Sequence, residues 1–321
     1  MRAVVVTDKG PALSDIPRPE ARAGQVLVRV HANALNRADL AMAAGHLHGA
    51  RGGLGAMLGL EWAGEIAELG PGVSGFSAGD RVMGSGGFAD YVAVPVAQVL
   101  RIPDANLSFE EAACFPVALR TMHNAIVTVG AMQPGESVLI QGASSGVGLL
   151  GMQIARQLGA AQVIGSSTNP ARRARLTEFG ADLAIDTGDP HWVQAVLDAT
   201  GGKGVDLIVD QISGPLVTPN MRAARVLGRI VNVGRLGGQK TEFDADLHAL
   251  RRIAYTGVTF RTRTPEEVAE INRAMLEDLG PALAHRAFAM PIDSVFPLES
   301  FAEALAKMKA NQHFGKIVLR H

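Results

Sequence analysis

The sequence reads as an α/β protein in two parts, a β-rich domain and a doubly wound domain built on a parallel sheet. Three features carry that reading. The first third holds short runs rich in Val, Ile and Leu, bracketed by Gly and Pro. From about residue 122, apolar strands alternate with segments of helical spacing. A glycine-rich turn joins the first of these strands to the first of these helices. Strands alternating with helices imply βαβ units and a parallel sheet covered on both faces. The length, 321 residues, suits about two domains.

In the first third, residues 3–6, Gln25–Ala34 and Trp62–Leu69 are expected strands, and PRPEARAG, GPGVSGFSAGD and GSGGFAD supply turns. Ser137–Gln141 is a short apolar strand followed by a helix over 146–158. Strands then fall at 162–165, 182–185, Val205–Asp210 and 229–233, and helical spacing at 171–179, 191–200 and 215–226. Residues 254–260 form a last strand, and Thr264 caps a helix running to about Asp278. One more helix over 298–311 and a strand at 316–319 close the chain. No repeat or polar linker separates the halves, so two domains sharing a cleft are expected.

Composition narrows the function. Lys+Arg 30 against Asp+Glu 31 leaves a net charge of −1, which argues against a nucleic-acid surface working by counterion release. Aromatics at 5% are too few for rows of base-stacking platforms. No run of ~18 apolar residues and no signal-peptide core is present, so no membrane partner is expected. The single cysteine, Cys114, forms no internal disulfide and rules out a multi-cysteine zinc site. Between Ala113 and Phe115 it reads as a buried, inert thiol. A cytoplasmic location follows as an expectation.

The informative segment is Ser137-Val-Leu-Ile-Gln-Gly-Ala-Ser-Ser-Gly-Val-Gly148. A strand runs into Gly142, Gly146 and Gly148, and a helix starts at once. Glycines there allow a tight turn and close approach of backbone to a pyrophosphate at the positive helix end. NAD-binding chains place an acid about 20 residues further on, for the ribose 2′-hydroxyl. No acid occurs between Gly142 and Glu178, and the expected stretch is Gly165-Ser-Ser-Thr-Asn-Pro-Ala-Arg172-Arg173. Hydroxyls beside guanidinium groups suit a 2′-phosphate, so the expected cofactor is NADPH. The loop alone also fits the short-chain dehydrogenases, but those need Tyr-x-x-x-Lys. Pro95 follows Tyr91 at that spacing and Thr259 follows Tyr255, so that reading fails.

Further motifs extend over the whole chain: Ala34-Leu-Asn-Arg-Ala-Asp39, Gly59-Leu-Glu-Trp-Ala-Gly64, Gly79-Asp-Arg-Val82, Gly87-Phe-Ala-Asp-Tyr91, Gly201-Gly-Lys-Gly-Val-Asp206 and Gly315-Lys-Ile-Val318. With the glycine loop, they resemble the medium-chain dehydrogenase/reductases, and within these the zinc-independent, zeta-crystallin-like quinone oxidoreductases. The Ala34–Leu40 string and Phe260-Arg-Thr-Arg263 look closest to the p53-inducible branch. The resemblance implies a GroES-like catalytic domain over 1–121 and 264–321, a Rossmann domain over 122–263, and a homodimer. Zinc alcohol dehydrogenases carry Cys where Asn36 stands and Gly-His-Glu where this chain has Gly59-Leu60-Glu61. Both changes delete ligands, so no metal is expected, and Glu61 reads as a structural carboxylate at the domain edge.

Carried over residue by residue, the resemblance implies that Asn36 lies near the nicotinamide ribose and the substrate carbonyl, making it the candidate catalytic residue. Thr121 matches the interdomain helix. Gly142, Ser144, Ser145, Gly146 and Val147 match the pyrophosphate loop. Ser167 and Arg172 match the 2′-phosphate site, and Val233 and Gly234 the backbone beside the nicotinamide. Tyrosines common in the family are replaced by Ala41, Leu47 and Thr187. The glycine-rich loop from Gly45 to Gly55 is either a lid or a surface turn. The expected activity is NADPH-dependent hydride transfer to a quinone or a carbonyl-activated C=C bond of a small electrophile. An enoyl-thioester reductase, with Arg37, Arg51 and Arg261 as candidates for a basic patch, and a non-catalytic NADPH-binding protein are the alternatives.

Overall fold

The computed structural model describes residues 1–321. The chain divides into two compact units, Met1–Val117 with Phe260–His321, and Ala118–Thr259. In chain order the first unit contributes β1 (Arg2–Thr7), β2 (Gly10–Asp15), β3 (Gln25–Ala34), α1 (Arg37–Ala43), β4 (Leu47–His48), β5 (Arg51–Gly52) and β6 (Trp62–Leu69). It continues with β7 (Arg81–Gly84), β8 (Tyr91–Pro95), β9 (Leu100–Arg101) and α2 (Phe109–Ala113), before α3 (Pro116–His123) enters the second unit. That unit holds β10 (Ser137–Gln141), α4 (Gly146–Gln157), β11 (Gln162–Ser166), α5 (Pro170–Arg173), β12 (Leu183–Ile185), α6 (Trp192–Ala199), β13 (Val205–Asp210), α7 (Val217–Ala223), β14 (Ala224–Asn232), α8 (Ala245–Arg251) and β15 (Ala254–Gly257). The chain then returns to the first unit with α9 (Pro265–Ala284), β16 (Ile292–Pro297), α10 (Phe301–Lys309) and β17 (Lys316–Arg320).

The first unit is organised by a seven-stranded sheet in the order β16-β17-β3-β6-β7-β9, with β8 also paired to β3. Alternation along β3 turns Val26, Val28 and Val30 toward Trp62, Ile66, Val82 and Val92. Ile317 and Leu319 of β17 join a separate cluster with Leu35, Met42, Phe88 and Leu305. Because a strand has period two, Lys316 and Val318 face the other way. A charged side chain is thereby turned into buried surroundings, and Lys316 is only 3% exposed.

The second unit is a six-stranded parallel sheet in the order β12-β11-β10-β13-β14-β15. Relative to chain order this is the doubly wound arrangement, with β10 and β13 flanking the point where the winding reverses. Loops leaving the carboxyl ends of these central strands are where such sheets bind ligands. The core joins Leu139, Ile164 and Ile208 of the sheet to Val196, Met221 and Ile230. No helix of the protein is long and apolar enough to cross a membrane.

Several expected elements differ in extent. The helix expected over 215–226 ends at Ala223, and Ala224 already pairs with Val205 in the sheet. The ladder is irregular between Val205 and Leu207, and Leu227 takes φ +63°. This bulged stretch hides its strand character from a periodicity argument. The segment 171–179 is not one helix. α5 closes at Arg173, and a separate 3₁₀ turn over Leu176–Phe179 ends on left-handed Gly180. β15 is shorter than residues 254–260, and α9 extends past Asp278 to Ala284.

Candidate active site and cofactor cradle

In the second unit, the turn after β10 is held from several sides. Gly142 takes φ +71°, open to glycine at no steric cost. A Cβ on Gly148 would stand 2.6 Å from Gly142 O, so the helix start packs directly on the turn. Ser145 caps α4, accepting from Gly148 N–H at 3.0 Å while its hydroxyl reaches Gly142 O at 3.0 Å. Gly142 N–H donates to Ser166 Oγ at 3.0 Å, and Ser166 donates in turn to Gln141 Oε1 at 2.6 Å. Gln211 Nε2 donates to Gln141 O at 3.1 Å, fastening the turn to the end of β13. Gly146 and Val147 form the first turn of α4, leaving a ring of backbone N–H groups at a helix end, as a pyrophosphate requires. This backbone cradle at a helix N-terminus fits a dinucleotide.

The neighbouring groups are in reach of the same loop. Ser167 donates to Ser144 at 3.0 Å. Arg172 stands half-buried on α5, while Arg173 donates to Asp186 at 2.7 Å and to Ser167 O at 2.9 Å. An acid is therefore present beside β11 after all, brought in from the end of β12, where Ser166 pairs with Ile185. Arg173 neutralises it. Val233 and Gly234 both donate to Asp210 O, at 2.8 and 3.1 Å, and a Cβ on Gly234 would meet Gln211 O at 2.3 Å. Thr121 is half-buried on α3.

In the first unit, Asn36, Asp39, Glu61 and Lys316 form a buried polar cluster. Lys316 Nζ pairs with Glu61 Oε1 and donates to Asn36 Oδ1 at 2.8 Å. Asn36 Nδ2 donates to Glu61 Oε1 at 2.8 Å and lies 3.4 Å from Ala34 O. Glu61 Oε2 accepts from Val117 N–H at 2.8 Å. Asp39 closes the start of α1 by accepting from Asn36 N–H at 2.6 Å. Burial pushes the Asp39 carboxyl up to about 7, opposed in part by that hydrogen bond. Cys114 is buried, its thiol donates to Glu110 O at 3.1 Å, and burial pushes its pKa up.

Glu61 is fully buried and bonded on both oxygens, Oε2 accepting from Val117 N–H at the last residue of that stretch of the first unit. One expectation changes here. The Asn36 amide, expected to donate to an acceptor oxygen, is already engaged at Oδ1 and Nδ2. The residue missed by sequence reasoning is Lys316, quoted only as part of a motif. A lysine opening an Ile-Val-Leu strand needs a buried counter-charge, and that was the available signal.

The donor set does not fit a catalytic zinc. Leu60 offers no ligand atom, and Asn36 Oδ1 and Glu61 are held by an ammonium. No group of three or more His, Cys, Asp and Glu side chains is placed to hold a metal ion.

Two family models match, an alcohol dehydrogenase GroES-like domain over residues 22–104 and a zinc-binding dehydrogenase over 146–277. The human synaptic vesicle membrane protein VAT-1 homolog is 31% identical over 330 residues, spanning 96% of this chain and 81% of that protein. The chain belongs to the medium-chain dehydrogenase/reductase superfamily. A superfamily member from Novosphingobium aromaticivorans superposes with a TM-score of 0.90 at 28% identity, covering 100% of this chain and 99% of its own. The polyketide synthase GfsB of Streptomyces halstedii is 33% identical over 302 residues, 92% of this chain. The chain spans only 5% of GfsB and 8% of a hybrid synthetase from Aspergillus niger, so these relatives are far larger.

Two outcomes test the cluster. Lys316→Met leaves Glu61 buried without its partner and should cost about 3–5 kcal/mol in denaturant unfolding. Adding Glu61→Gln should recover part of the loss, because the amide still accepts from Val117 N–H; a single-variant loss below ~1 kcal/mol would place the ammonium in water. For Asp39 the folded carboxyl holds its proton more tightly than the unfolded one. Its contribution is therefore full below about pH 4 and is lost as pH rises through about 7. Asp39→Asn should gain stability relative to wild type across that window, and parallel pH profiles would contradict the assignment.

Proposed function

We propose that this protein is a zinc-independent, NADPH-dependent reductase of the quinone oxidoreductase-like branch, acting on a quinone or a carbonyl-activated C=C bond. The observation that carries the reading is the seating of Lys316 on Asn36 and Glu61, where zinc alcohol dehydrogenases of the superfamily hold their metal. A Lys–Glu pair has no open coordination position to bind and acidify an alcohol. An electron-poor acceptor carries its own electron sink and needs chiefly positioning.

NADPH would be held by Gly142, Ser144, Ser145, Gly146 and Val147 at its pyrophosphate, with Val233 and Gly234 at the nicotinamide end. Ser167 and Arg172 would take the 2′-phosphate, a hydroxyl and a guanidinium at the end of β11 and on α5. When bound, the cofactor supplies a hydride to the acceptor carbon; the displaced electron pair moves to the carbonyl oxygen, and water supplies the proton. Asn36 acts as a positioning residue, fixed by Lys316 beside the start of α1. We further place the protein in the cytoplasm as a homodimer formed through β15, an edge strand flanked by exposed Leu250 and Phe243.

Titrating both cofactors should show tighter binding of NADPH than NADH. Arg172→Glu should weaken NADPH by ~10- to 100-fold while leaving NADH within a few-fold, the worth of one charge-assisted bond; equal wild-type affinities would overturn the cofactor assignment. A panel of 1,2-naphthoquinone, a simple enone, an enoyl thioester and ordinary alcohols should show NADPH oxidation with the activated acceptors. Activity should persist after exhaustive chelation. Efficient alcohol oxidation, or zinc-restored activity, would refute the reaction class.

A further inference from the structure

We propose that Asp210 is a positioning residue for the nicotinamide end of the cofactor, tied to the turn after β10 by a one-way chain of buried hydrogen bonds. This rests on the NADPH reading above and adds a residue that the reading does not use. Every group in the chain belongs to the second unit.

Asp210 ends β13, beside the point where the winding of the sheet reverses. Its main-chain oxygen accepts from Val233 N–H at 2.8 Å and from Gly234 N–H at 3.1 Å. Its side-chain Oδ1 accepts from Ile212 N–H and Ser213 N–H, both at 2.8 Å. The chain turns so sharply there that Ser213 takes φ +60°. Serine is disfavoured in that region, and such strain persists only where the surroundings impose it. The strained stretch in turn carries the loop after β14. Gly237 N–H donates to Ile212 O at 2.7 Å, Ser213 pairs with Gly238 in a single parallel bridge, and a Cβ on Gly214 would stand 2.6 Å from Gly237 O. Residues 233–238 therefore rest on Asp210 at both ends, directly at the first and through Ile212 and Ser213 at the second.

The other carboxylate oxygen leads to the turn after β10. Asp210 Oδ2 accepts from Asn220 Nδ2 at 3.1 Å, and Asn220 Oδ1 accepts from Gln141 Nε2 at 2.7 Å. Gln141 Oε1 accepts from Ser166 Oγ at 2.6 Å, and Ser166 Oγ accepts from Gly142 N–H at 3.0 Å. Asp210, Asn220 and Gln141 are fully buried. Both ends fix the direction of this chain, because a main-chain N–H only donates and a carboxylate only accepts. Burial pushes the Asp210 carboxyl up, and the bonds from Ser213, Ile212 and Asn220 pull it back; all three donors face the ionised form. The charge on Asp210 thus orients each neutral amide as far as Gly142, and the same carboxylate shapes the loop at Val233 and Gly234.

The test reverses the chain and then restores it. D210N keeps the size of the side chain and an acceptor for Ile212 and Ser213, but sets a second amide donor against Asn220 Nδ2. Relief requires Asn220 and Gln141 to turn over, which leaves the Ser166 proton without its acceptor. D210N/N220D moves the charge one place along the chain and gives every donor an acceptor again. With NADPH and 1,2-naphthoquinone, D210N should lose about tenfold or more in kcat, while its affinities for NADPH and for adenosine 2′,5′-bisphosphate stay within a few-fold. The fluorescence of bound NADPH should fall as the nicotinamide loosens, and the Gly142 amide resonance should shift. The double variant should bring kcat to within a few-fold of wild type and return both signals. Wild-type kcat in D210N, or a double variant no better than D210N, would overturn the proposal. So would kcat, cofactor affinity and melting temperature that fall together and stay low in the double variant, the pattern of a merely structural residue. If D210N alone does not fold, the double variant decides: wild-type signals support the proposal and their loss overturns it. If wild type reduces no quinone, enone or enoyl thioester, the reductase reading fails by itself. Fluorescence and the Gly142 resonance then carry the test, with loss in D210N and return in the double variant expected, and unchanged signals overturning it.

Discussion

The first unit is arranged around a buried ammonium. Taking Lys316 out of water costs several kcal/mol unless its charge and all its protons are answered. The answers come from two separate stretches: Glu61 just before β6, and the Leu35 carbonyl with the Asn36 side chain just after β3. These stretches are adjacent only because β17 lies next to β3 and β3 next to β6. The residue that satisfies residues 36 and 61 is thus placed about 250 positions later, after the chain has built the second unit and returned. Such a pair contributes little net stability compared with an apolar filling, but it tolerates no other register. A slip of one residue in β17 would bring Ile317 to the carboxylate and send Lys316 into the cluster of Leu35, Met42 and Phe88.

The second unit solves a related problem with neutral groups. A loop that must present bare N–H groups to a phosphate cannot also satisfy them internally, so its rigidity must come from elsewhere. Here it comes from side-chain amides and hydroxyls behind the loop: Gln141, Ser166 and Gln211 tie the turn after β10 to β11 and β13. Asn220 carries the network deeper, accepting from Gln141 at 2.7 Å and donating to Asp210 at 3.1 Å. Each member is partnered, which is what makes a buried polar network rigid instead of a weakness.

These two networks explain what was legible in the sequence. The strands Gln25–Ala34, Trp62–Leu69, Ser137–Gln141 and Val205–Asp210 were readable because local pattern and tertiary role agree there. The glycine turn was readable because its chemistry is local. Lys316 was not, since its meaning depends on Glu61, whose partner no spacing argument reveals. The pairing of Arg173 with Asp186 was hidden for the same reason: a gap in sequence closed by the parallel pairing of β11 and β12. The strand start at Ala224 was masked by its bulge.

The same buried pair bears on which chemistry the site favours. A zinc ion with an open position leaves net positive charge facing the substrate, and that charge acidifies a bound alcohol. An ammonium bonded to a carboxylate is internally neutral, and its field falls off as that of a dipole. Asn36, clamped between the two, is a rigid group with a fixed orientation instead of a strong acid or electrophile. Transition-state stabilisation under the proposed reaction then has to come from holding acceptor and cofactor in line, a contribution that effective molarities show can be large. Positioning of this kind rewards a substrate anchored far from its reacting carbon, because binding energy from a remote group is what fixes the geometry of the near one.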